Sequence, residues 1–272
     1  MLKQRVITAA IGVPVIIFVV WFGDPWFSLL IAAVVLLGSF EFYHMLANSS
    51  KGRPLTYFGL LWALAIALSP LSLHYRGIDI LPIAMTEGMV FSLTWLLCRS
   101  PRERAFINWG WTLAGVLYIG WMLSYWLNLR ILEDGRAWVY LALLSTFAND
   151  TGAFFIGKAL GKHQLAPTIS PGKTWEGAIG GLLSAIIGAI AIFLILNLFS
   201  PLPLRYWHLV LLGFVVSLFA QLGDLVESWL KRDIGVKDSG KLLPGHGGIL
   251  DRFDSLIFTG VVVYYYATWI VI

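Results

Sequence analysis

The sequence predicts an all-α, polytopic membrane protein with about nine transmembrane helices and a cytoplasmic N-terminus. Two properties carry this prediction: the mean hydropathy is +0.80, and 58% of the 272 residues are hydrophobic while only 12% are charged. Soluble domains keep about a quarter of their residues charged. The single cysteine, Cys98, excludes an internal disulfide framework and a cysteine-based zinc site.

Nine apolar segments are long enough to cross the hydrocarbon layer, which takes about 17 to 25 residues. They cover 6–22, 26–47, 57–73, 79–98, 107–129, 137–157, 175–199, 206–230 and 249–271. The first segment resembles a signal peptide, but no small-residue cleavage site follows it, so we expect it to be retained. No repeat or soluble domain interrupts the pattern. We therefore expect one integral-membrane domain over 1–272, with 1–136 mainly a scaffold and 137–272 carrying the active-site motifs.

The distribution of lysine and arginine predicts the orientation. If the N-terminus is cytoplasmic, fourteen of these residues lie on that side and only four lie on the other: Arg76, Arg130, Arg136 and Arg205. Cytoplasmic loops carry the excess of positive charge, so we expect the loops at 158–174 and 231–248 to face the cytoplasm. The net charge of +4 lies in short loops, which favours contact with anionic lipid. We expect no nucleic-acid partner.

Carboxylates within the predicted helices are the first functional signal. Three lie near the cytoplasmic face: Asp150, Asp224 and Glu227. An acidic side chain at the bilayer centre costs about 2.5–3.5 kcal/mol, so we expect a hydrated or metal-filled cavity around them. Asp224 and Glu227 are three residues apart and share a helix face, as do Asp251 and Asp254 at the start of the last helix.

The glycine-rich loop before that last helix predicts an anion near the second pair of acids. Gly247 and Gly248 permit close backbone approach to a ligand, and a helix starting near Ile249 directs free N–H groups towards an anion. Carboxylates and an anion at one point favour a divalent cation between them, and Mg²⁺ binds few carboxylates together with phosphate oxygens. The alternative is that Asp251 caps its helix and pairs with Arg252. His246 is by itself weaker evidence, because a loop histidine is usually only a polar loop residue.

The loop "GKHQLAPTISPGKTWEG", Gly161 to Gly177, adds groups that suit phosphate. Its proline–glycine pair sets a turn, Lys173 supplies a point charge, and Ser170 and Thr174 supply hydroxyl donors. A Walker motif requires GxxxxGK[ST] after a strand. The segment "PTISPGKT" lacks the first glycine, and we predict no strand before it, so we reject a P-loop.

The segment from Ser228 to Asp254, "SWLKRDIGVKDSGKLLPGHGGILDRFD", resembles the signature of the phosphatidate cytidylyltransferases, also called CDP-diacylglycerol synthases. A second hallmark of that family is a serine–proline, a lysine–threonine and a glutamate–glycine, matched here by Ser170, Pro171, Lys173, Thr174, Glu176 and Gly177. The resemblance covers essentially the whole chain and is strongest from about Asn149 onward.

The resemblance implies an enzyme of phospholipid biosynthesis that transfers CMP from CTP to phosphatidate, giving CDP-diacylglycerol and pyrophosphate. It implies that Asp224 and Asp251 hold Mg²⁺ with support from Asp254, that Lys173 joins them as a catalytic residue, and it leaves a second metal ion open. The substrate-binding residues expected with them are Ser170, Thr174, Lys231, Arg232, Lys237, His246, Gly247, Gly248 and Asp150. The expected setting is the bacterial inner membrane, with membrane lipids as partners, an inner-leaflet lipid substrate and the active site at the cytoplasmic face; a homodimer is left open.

Two other functions stay open at this point. An ion- or proton-coupled transporter also uses intramembrane acids such as Asp150, Asp224, Glu41 and Glu87. A polyprenol or phytol kinase that uses CTP is the nearer enzyme alternative. A CDP-alcohol phosphotransferase is disfavoured, because the DG…AR…G…D…D run of that family is missing from this chain.

Overall fold

The structure is a computed structural model that describes residues 12, 14–98, 104–199, 202, 204–240, 242 and 247–271. Over these residues the chain is an all-α polytopic membrane protein, as predicted. Eight of the described helices are long and apolar enough to cross a membrane, and they correspond to eight of the nine predicted segments. The first predicted segment lies partly outside the described residues, and its residues 14–22 are helical.

The elements follow one another along the chain with short connections. The helices are α1 (14–22), α2 (Trp26–Ala47), α3 (Thr56–Arg76), α4 (Leu81–Cys98), α5 (Ala105–Gly115, a π-helical turn at Val116–Trp121, then Met122–Ile131), α6 (Gly135–Leu160), α7 (Trp175–Leu196), α8 (Tyr206–Ile234) and α9 (Leu250–Tyr266, continued as a π-helix at Ala267–Val271). Between α6 and α7 lie two strands, β1 (Gln164–Ala166) and β2 (Ser170–Thr174). Helices dominate because lipid offers no partner for backbone N–H and C=O groups.

The chain divides into two compact units, each built from two separate segments. The first unit comprises Met1–Asn128 and Ile234–Arg252, and the second comprises Leu129–Asp233 and Phe253–Ile272. Each boundary falls within a helix, namely α5, α8 or α9. The single-domain organisation expected from the sequence stays a prediction.

In the first unit, buried aromatic residues and a few buried hydrogen bonds hold α2, α3 and α5 together. The hydroxyl of Tyr43 on α2 donates to the carbonyl oxygen of Thr112 on α5 at 2.8 Å. The Thr112 hydroxyl in turn accepts from the backbone N–H of Leu55 at 2.8 Å. An unpaired buried polar group is costly in an apolar medium, so these two bonds favour packing of α2 and of the start of α3 against α5.

In the second unit, α6 and α7 approach closely because glycines line their contact. A side chain at Gly180 would meet Ile156 at 2.6 Å, and one at Gly188 would meet Ala148 at 2.7 Å. Small residues let membrane helices pack by backbone contact. This close pairing fixes both ends of the hairpin that joins the two helices.

Candidate active site

The loop between α6 and α7 folds into a two-stranded antiparallel hairpin, which the sequence analysis did not predict. Gln164 pairs with Thr174, and Ala166 pairs with Ser170. The GKT run lies on strand β2 itself, so it does not form the loop between strand and helix that a Walker motif requires. The rejection of a P-loop therefore holds, although a strand is present.

Glu176 fastens the base of this hairpin. Its Oε2 accepts the backbone N–H groups of Lys162 at 3.1 Å and His163 at 3.2 Å, and its Oε1 lies 2.6 Å from Nδ1 of His163. Thr174 caps the N-terminus of α7, because its hydroxyl oxygen accepts from the N–H of Gly177 at 3.1 Å. These bonds orient strand β2, and with it Lys173.

Lys173 extends from the hairpin to Asp224 on α8. Its Nζ lies 2.8 Å from Oδ2 of Asp224, and the two side chains are 23% and 38% exposed. The two groups form an ion pair, and within the described structure Nζ of Lys173 donates no aligned hydrogen bond. The other oxygen of Asp224, Oδ1, accepts from the hydroxyl of Ser228 at 3.3 Å. A partly buried ammonium with unused donor capacity is suited to bind a phosphate.

The ion pair lies in the wall of a cavity of about 450 Å³ in the second unit. This volume lies within the range of small-molecule sites, which is about 300–1,000 Å³. Two predicted substrate-binding residues besides this pair line it, namely Asp150 and Thr174, together with Gly172 of the predicted turn. The remaining lining residues are Asn149, Ala153, Phe154, Gly157, Lys158, Leu165, Gly177, Ala178 and Gln221.

A buried polar cluster beneath this cavity was missed by the sequence analysis. Oδ1 of Asn149 accepts from Ser217 at 2.7 Å and from Gln221 at 3.3 Å, and Gln221 also donates to the carbonyl oxygen of Ala178 at 3.1 Å. The Asn149 amide donates to Oδ1 of Asp150 at 3.0 Å. The cluster ties α6, α7 and α8 together and orients Asp150. The sequence signal that could have identified this cluster is the presence of uncharged polar residues, Asn149, Ser217 and Gln221, within apolar spans.

Lys158 is a second cation at this cavity that the sequence analysis used only for topology. It lies near the end of α6, is exposed, and lines the cavity. Its Nζ lies 5.9 Å from the ring centroid of Phe154, one turn earlier on the same helix. The available signal was its position, because Lys158 follows directly on an apolar span and lies a few residues before the loop that carries the GKT run.

Four acidic side chains of the second unit interact electrostatically. The carboxylate of Asp254 on α9 lies close enough to Asp224, Glu227 and Asp150 for their negative charges to act on it. Helices α8 and α9 come close here, because a side chain at Gly223 would meet the backbone oxygen of Asp254 at 2.5 Å. The carboxylates of Asp150, Asp224 and Glu227 thus act on Asp254, and the part of this cluster in binding a metal or a substrate stays a prediction.

The residues present fit a magnesium ion only if the substrate completes its shell. Across the described ranges, no group of three histidine, cysteine, aspartate or glutamate side chains could hold a metal ion alone. Mg²⁺ is commonly bound by one or two carboxylates together with substrate phosphates and water. Asp224 and Asp254 supply such a pair within the second unit, and their role as metal ligands stays a prediction.

Lys231 and Arg232, predicted to bind phosphate, have protein partners in the structure. Nζ of Lys231 lies 2.8 Å from Oε2 of the buried Glu227, one turn earlier on α8. Nε of Arg232 donates to the carbonyl oxygen of Ile169 at 3.2 Å, which ties the hairpin to α8. Arg232 itself is exposed. Both residues therefore contribute to the framework of the second unit.

In the first unit, groups of the loop before α9 hold the carboxylate of Asp251, which lies in the first turn of that helix. Its Oδ2 accepts from the N–H of Gly248 at 2.8 Å, and from both the N–H and the hydroxyl of Ser239 at 2.9 Å. The N–H of Gly248, which the sequence analysis offered to an anionic ligand, thus donates to a carboxylate of the protein. Gly247 adopts a left-handed φ of +84°, which explains glycine there.

Glu41, on α2, also reaches this loop. Its Oε2 accepts the backbone N–H of Leu250 at 2.9 Å and lies 3.2 Å from the hydroxyl oxygen of Ser239. From the sequence, Glu41 stands out only as an intramembrane acid of the kind that transporters use. Lys237 is exposed in the same loop, whereas His246 lies outside the described residues.

Comparison with known proteins adds a relationship over the full length. The model of the cytidylyltransferase family matches residues 3–270. A phosphatidate cytidylyltransferase of Bacillus subtilis (strain 168) is 37% identical over 268 residues, which is 97% of this chain and 97% of that protein. One of Staphylococcus epidermidis is 35% identical over 94% of this chain and 95% of its own length. Phosphatidate cytidylyltransferase 4, chloroplastic, of Arabidopsis thaliana is 37% identical over 97% of this chain and 72% of its own length.

Proposed function

The chain belongs to the cytidylyltransferase family, and from this we propose that it transfers CMP from CTP to phosphatidate, giving CDP-diacylglycerol and pyrophosphate. The observation that carries the proposal is the identity of 35–37% to phosphatidate cytidylyltransferases over almost the entire chain. The proposed substrates are therefore CTP and a phosphatidate molecule that keeps its acyl chains in the bilayer.

The reaction needs charge neutralisation more than it needs a base. The lipid phosphomonoester has a second pKa of about 6, so it is largely ionised at pH 7. One of its oxygens forms a bond to the α-phosphorus of CTP, while the bond from that phosphorus to the α–β bridging oxygen breaks. The bridging oxygen leaves with pyrophosphate. The obstacle is repulsion between an anionic nucleophile and a polyanionic triphosphate.

The cavity of the second unit supplies groups suited to that task. We assign the nucleotide phosphates to its two lysines, Lys173 and Lys158, of which the first is already oriented by Asp224 at 2.8 Å. Binding of a phosphate would exchange one anionic partner of the Lys173 ammonium for another. Asp150 and Thr174 line the same cavity and are assigned to substrate contacts.

The proposal includes a magnesium ion held by Asp224 and Asp254, with the remaining ligands from phosphate and water. When bound, such an ion would neutralise the charge that develops on the phosphate oxygens. The contribution of the protein is to keep the two carboxylates on adjacent helices. Asp251 was grouped with them on its spacing to Asp254 and on the resemblance, and its part in catalysis as a further ligand stays a prediction.

We place the reaction at the cytoplasmic face of a bacterial inner membrane. The support is the excess of lysine and arginine in the loops at 158–174 and 231–248, which favours cytoplasmic loops. CTP is a cytoplasmic nucleotide, so this orientation puts the hairpin and its lysine on the side of the soluble substrate.

The test is an assay of the purified full-length chain in mixed micelles with radiolabelled CTP, phosphatidate and Mg²⁺. We expect pyrophosphate release in a one-to-one ratio with a labelled liponucleotide. Release of CDP with phosphorylation of an added polyprenol or phytol would identify a kinase instead. If no lipid product forms with several divalent ions, the proposed transfer is wrong, and cation flux in proteoliposomes becomes the experiment that tests the transporter.

A further inference from the structure

The carboxylate of Glu41 lies where the glycine-rich loop and the start of α9 meet. Glu41 is 4% exposed and is separated from Leu250 by 209 positions in the sequence, yet its Oε2 accepts the Leu250 N–H at 2.9 Å. A carboxylate at the first turn of a helix is stabilised by the free N–H groups there. Glu41 therefore determines where α9 begins.

A chain of hydrogen bonds leads from Glu41 to Asp251. The hydroxyl of Ser239 can donate its one proton to Oε2 of Glu41 at 3.2 Å or to Oδ2 of Asp251 at 2.9 Å, and its oxygen accepts the backbone N–H of Asp251 at 3.3 Å. The backbone N–H groups of Ser239 and Gly248 hold the same oxygen of Asp251 at 2.9 Å and 2.8 Å. The orientation of the Asp251 carboxylate thus depends on the serine, and the serine lies against Glu41.

Two glycines of the loop leave room for the Glu41 carboxylate. A side chain added at Gly240 would collide with Oε1 of Glu41, and one added at Gly248 would collide with Oε2 of Glu41 and with the Ser239 hydroxyl. The glycine pattern of this loop is therefore explained by packing around Glu41. For Gly248, packing thus replaces the close approach of a ligand that the sequence predicts.

Stability of the fold does not account for a glutamate at this position. Within the described structure Oε1 of Glu41 is buried without a hydrogen-bond partner, and burying a carboxylate that is only partly satisfied is costly. A glutamine there would keep one accepting oxygen and remove the charge. A side chain that disfavours folding is typical of a residue kept for function.

We propose that Glu41 is a positioning residue, which fixes Asp251 through Ser239 and the first turn of α9. The inference rests on the proposed function and on the prediction that Asp251 takes part in catalysis. Glu41 itself touches no substrate in this proposal. Its loss should lower kcat by leaving Asp251 misplaced, and it should leave phosphatidate binding unchanged.

The test compares Glu41→Gln, Ser239→Ala and the double variant in the full-length chain. We expect each single variant to lower kcat about 10- to 100-fold, as misplacement of a reacting group does, with the KM for phosphatidate within about twofold of wild type. Because both changes break one chain of bonds, the double variant should be no worse than the more damaged single variant, within about twofold. Two independent defects would instead multiply.

Glu87→Gln is the matched control, because Glu87 is an exposed acid on α4 of the same unit. It should keep wild-type kcat, and adding it to Ser239→Ala should leave the kcat of Ser239→Ala unchanged. A thermal unfolding scan in detergent should show Glu41→Gln melting no lower than wild type. An unstable Glu41→Gln, or defects that multiply, would overturn the inference.

The two proposals fail in different ways. A wild-type chain that makes no liponucleotide overturns the proposed function and this inference with it. An active wild type with an equally active Glu41→Gln overturns the inference alone. If Glu41→Gln loses activity but the KM for phosphatidate rises by the same factor as kcat falls, Glu41 acts in lipid binding and the positioning role is wrong.

Discussion

Replacing Lys173 by methionine tests the proposed nucleotide site most directly. Methionine keeps an unbranched apolar side chain and removes the ammonium that lies 2.8 Å from Oδ2 of Asp224. At this separation and an effective dielectric constant of about 20, the attraction of the two charges is about 6 kcal/mol before desolvation is counted. With both side chains partly exposed, at 23% and 38%, the net contribution of the pair to folding falls to about 1 kcal/mol.

The expected change in the KM for CTP follows because a bound phosphate replaces Asp224 as the partner of the Lys173 ammonium. A phosphate that binds the Lys173 ammonium gains about 1.5–3 kcal/mol from a charge-assisted hydrogen bond and gives up about 1 kcal/mol of the ion pair. The difference, about 0.5–2 kcal/mol, corresponds to a rise in the KM for CTP of about 2- to 30-fold. The KM for phosphatidate should change by less than about twofold.

The assay measures pyrophosphate release while CTP and phosphatidate are varied separately, and equilibrium binding of labelled CTP checks that KM reports affinity. Lys162→Met is the control, because Lys162 precedes the same hairpin, is exposed and does not line the cavity. Equal rises in both KM values, or an equal effect of Lys162→Met, would refute the assignment of Lys173 to the nucleotide.

Two further substitutions test the contacts of the cavity, and a third tests the predicted orientation. Asp224→Asn should reduce kcat to less than about a tenth, which is at least about 1.4 kcal/mol of barrier, while the protein purifies normally; a rate above that limit would contradict its role as a ligand. Glu176→Gln should weaken the contact of this side chain with His163 and, like Lys173→Met, raise the KM for CTP. An unchanged KM for CTP would contradict the role of Glu176 in orienting Lys173. In a Cys98→Ser background, an impermeant thiol reagent should label Asp238→Cys only in inverted vesicles; labelling of intact cells would reverse the predicted orientation.

The sequence by itself determined the membrane character and most helix boundaries. The segment predicted at 26–47 is observed as Trp26–Ala47, and the one predicted at 206–230 is observed as Tyr206–Ile234. The reason is that the hydrocarbon layer sets both the length and the polarity of a spanning helix, so each span can be identified locally. The motif around Lys173 and the acids on α8 and α9 were likewise visible, because charged residues are rare in such segments.

Only the tertiary structure decided which of these groups meet. Three contacts join residues far apart in the chain: the ion pair of Lys173 with Asp224, the hydrogen bonds of Asn149 with α8, and the hydrogen bond of Glu41 with Leu250. No periodicity in the sequence encodes such pairs, because each depends on how neighbouring helices rotate and slide against one another. A buried polar group must find its partner across a helix contact, and that contact exists only once the chain has folded.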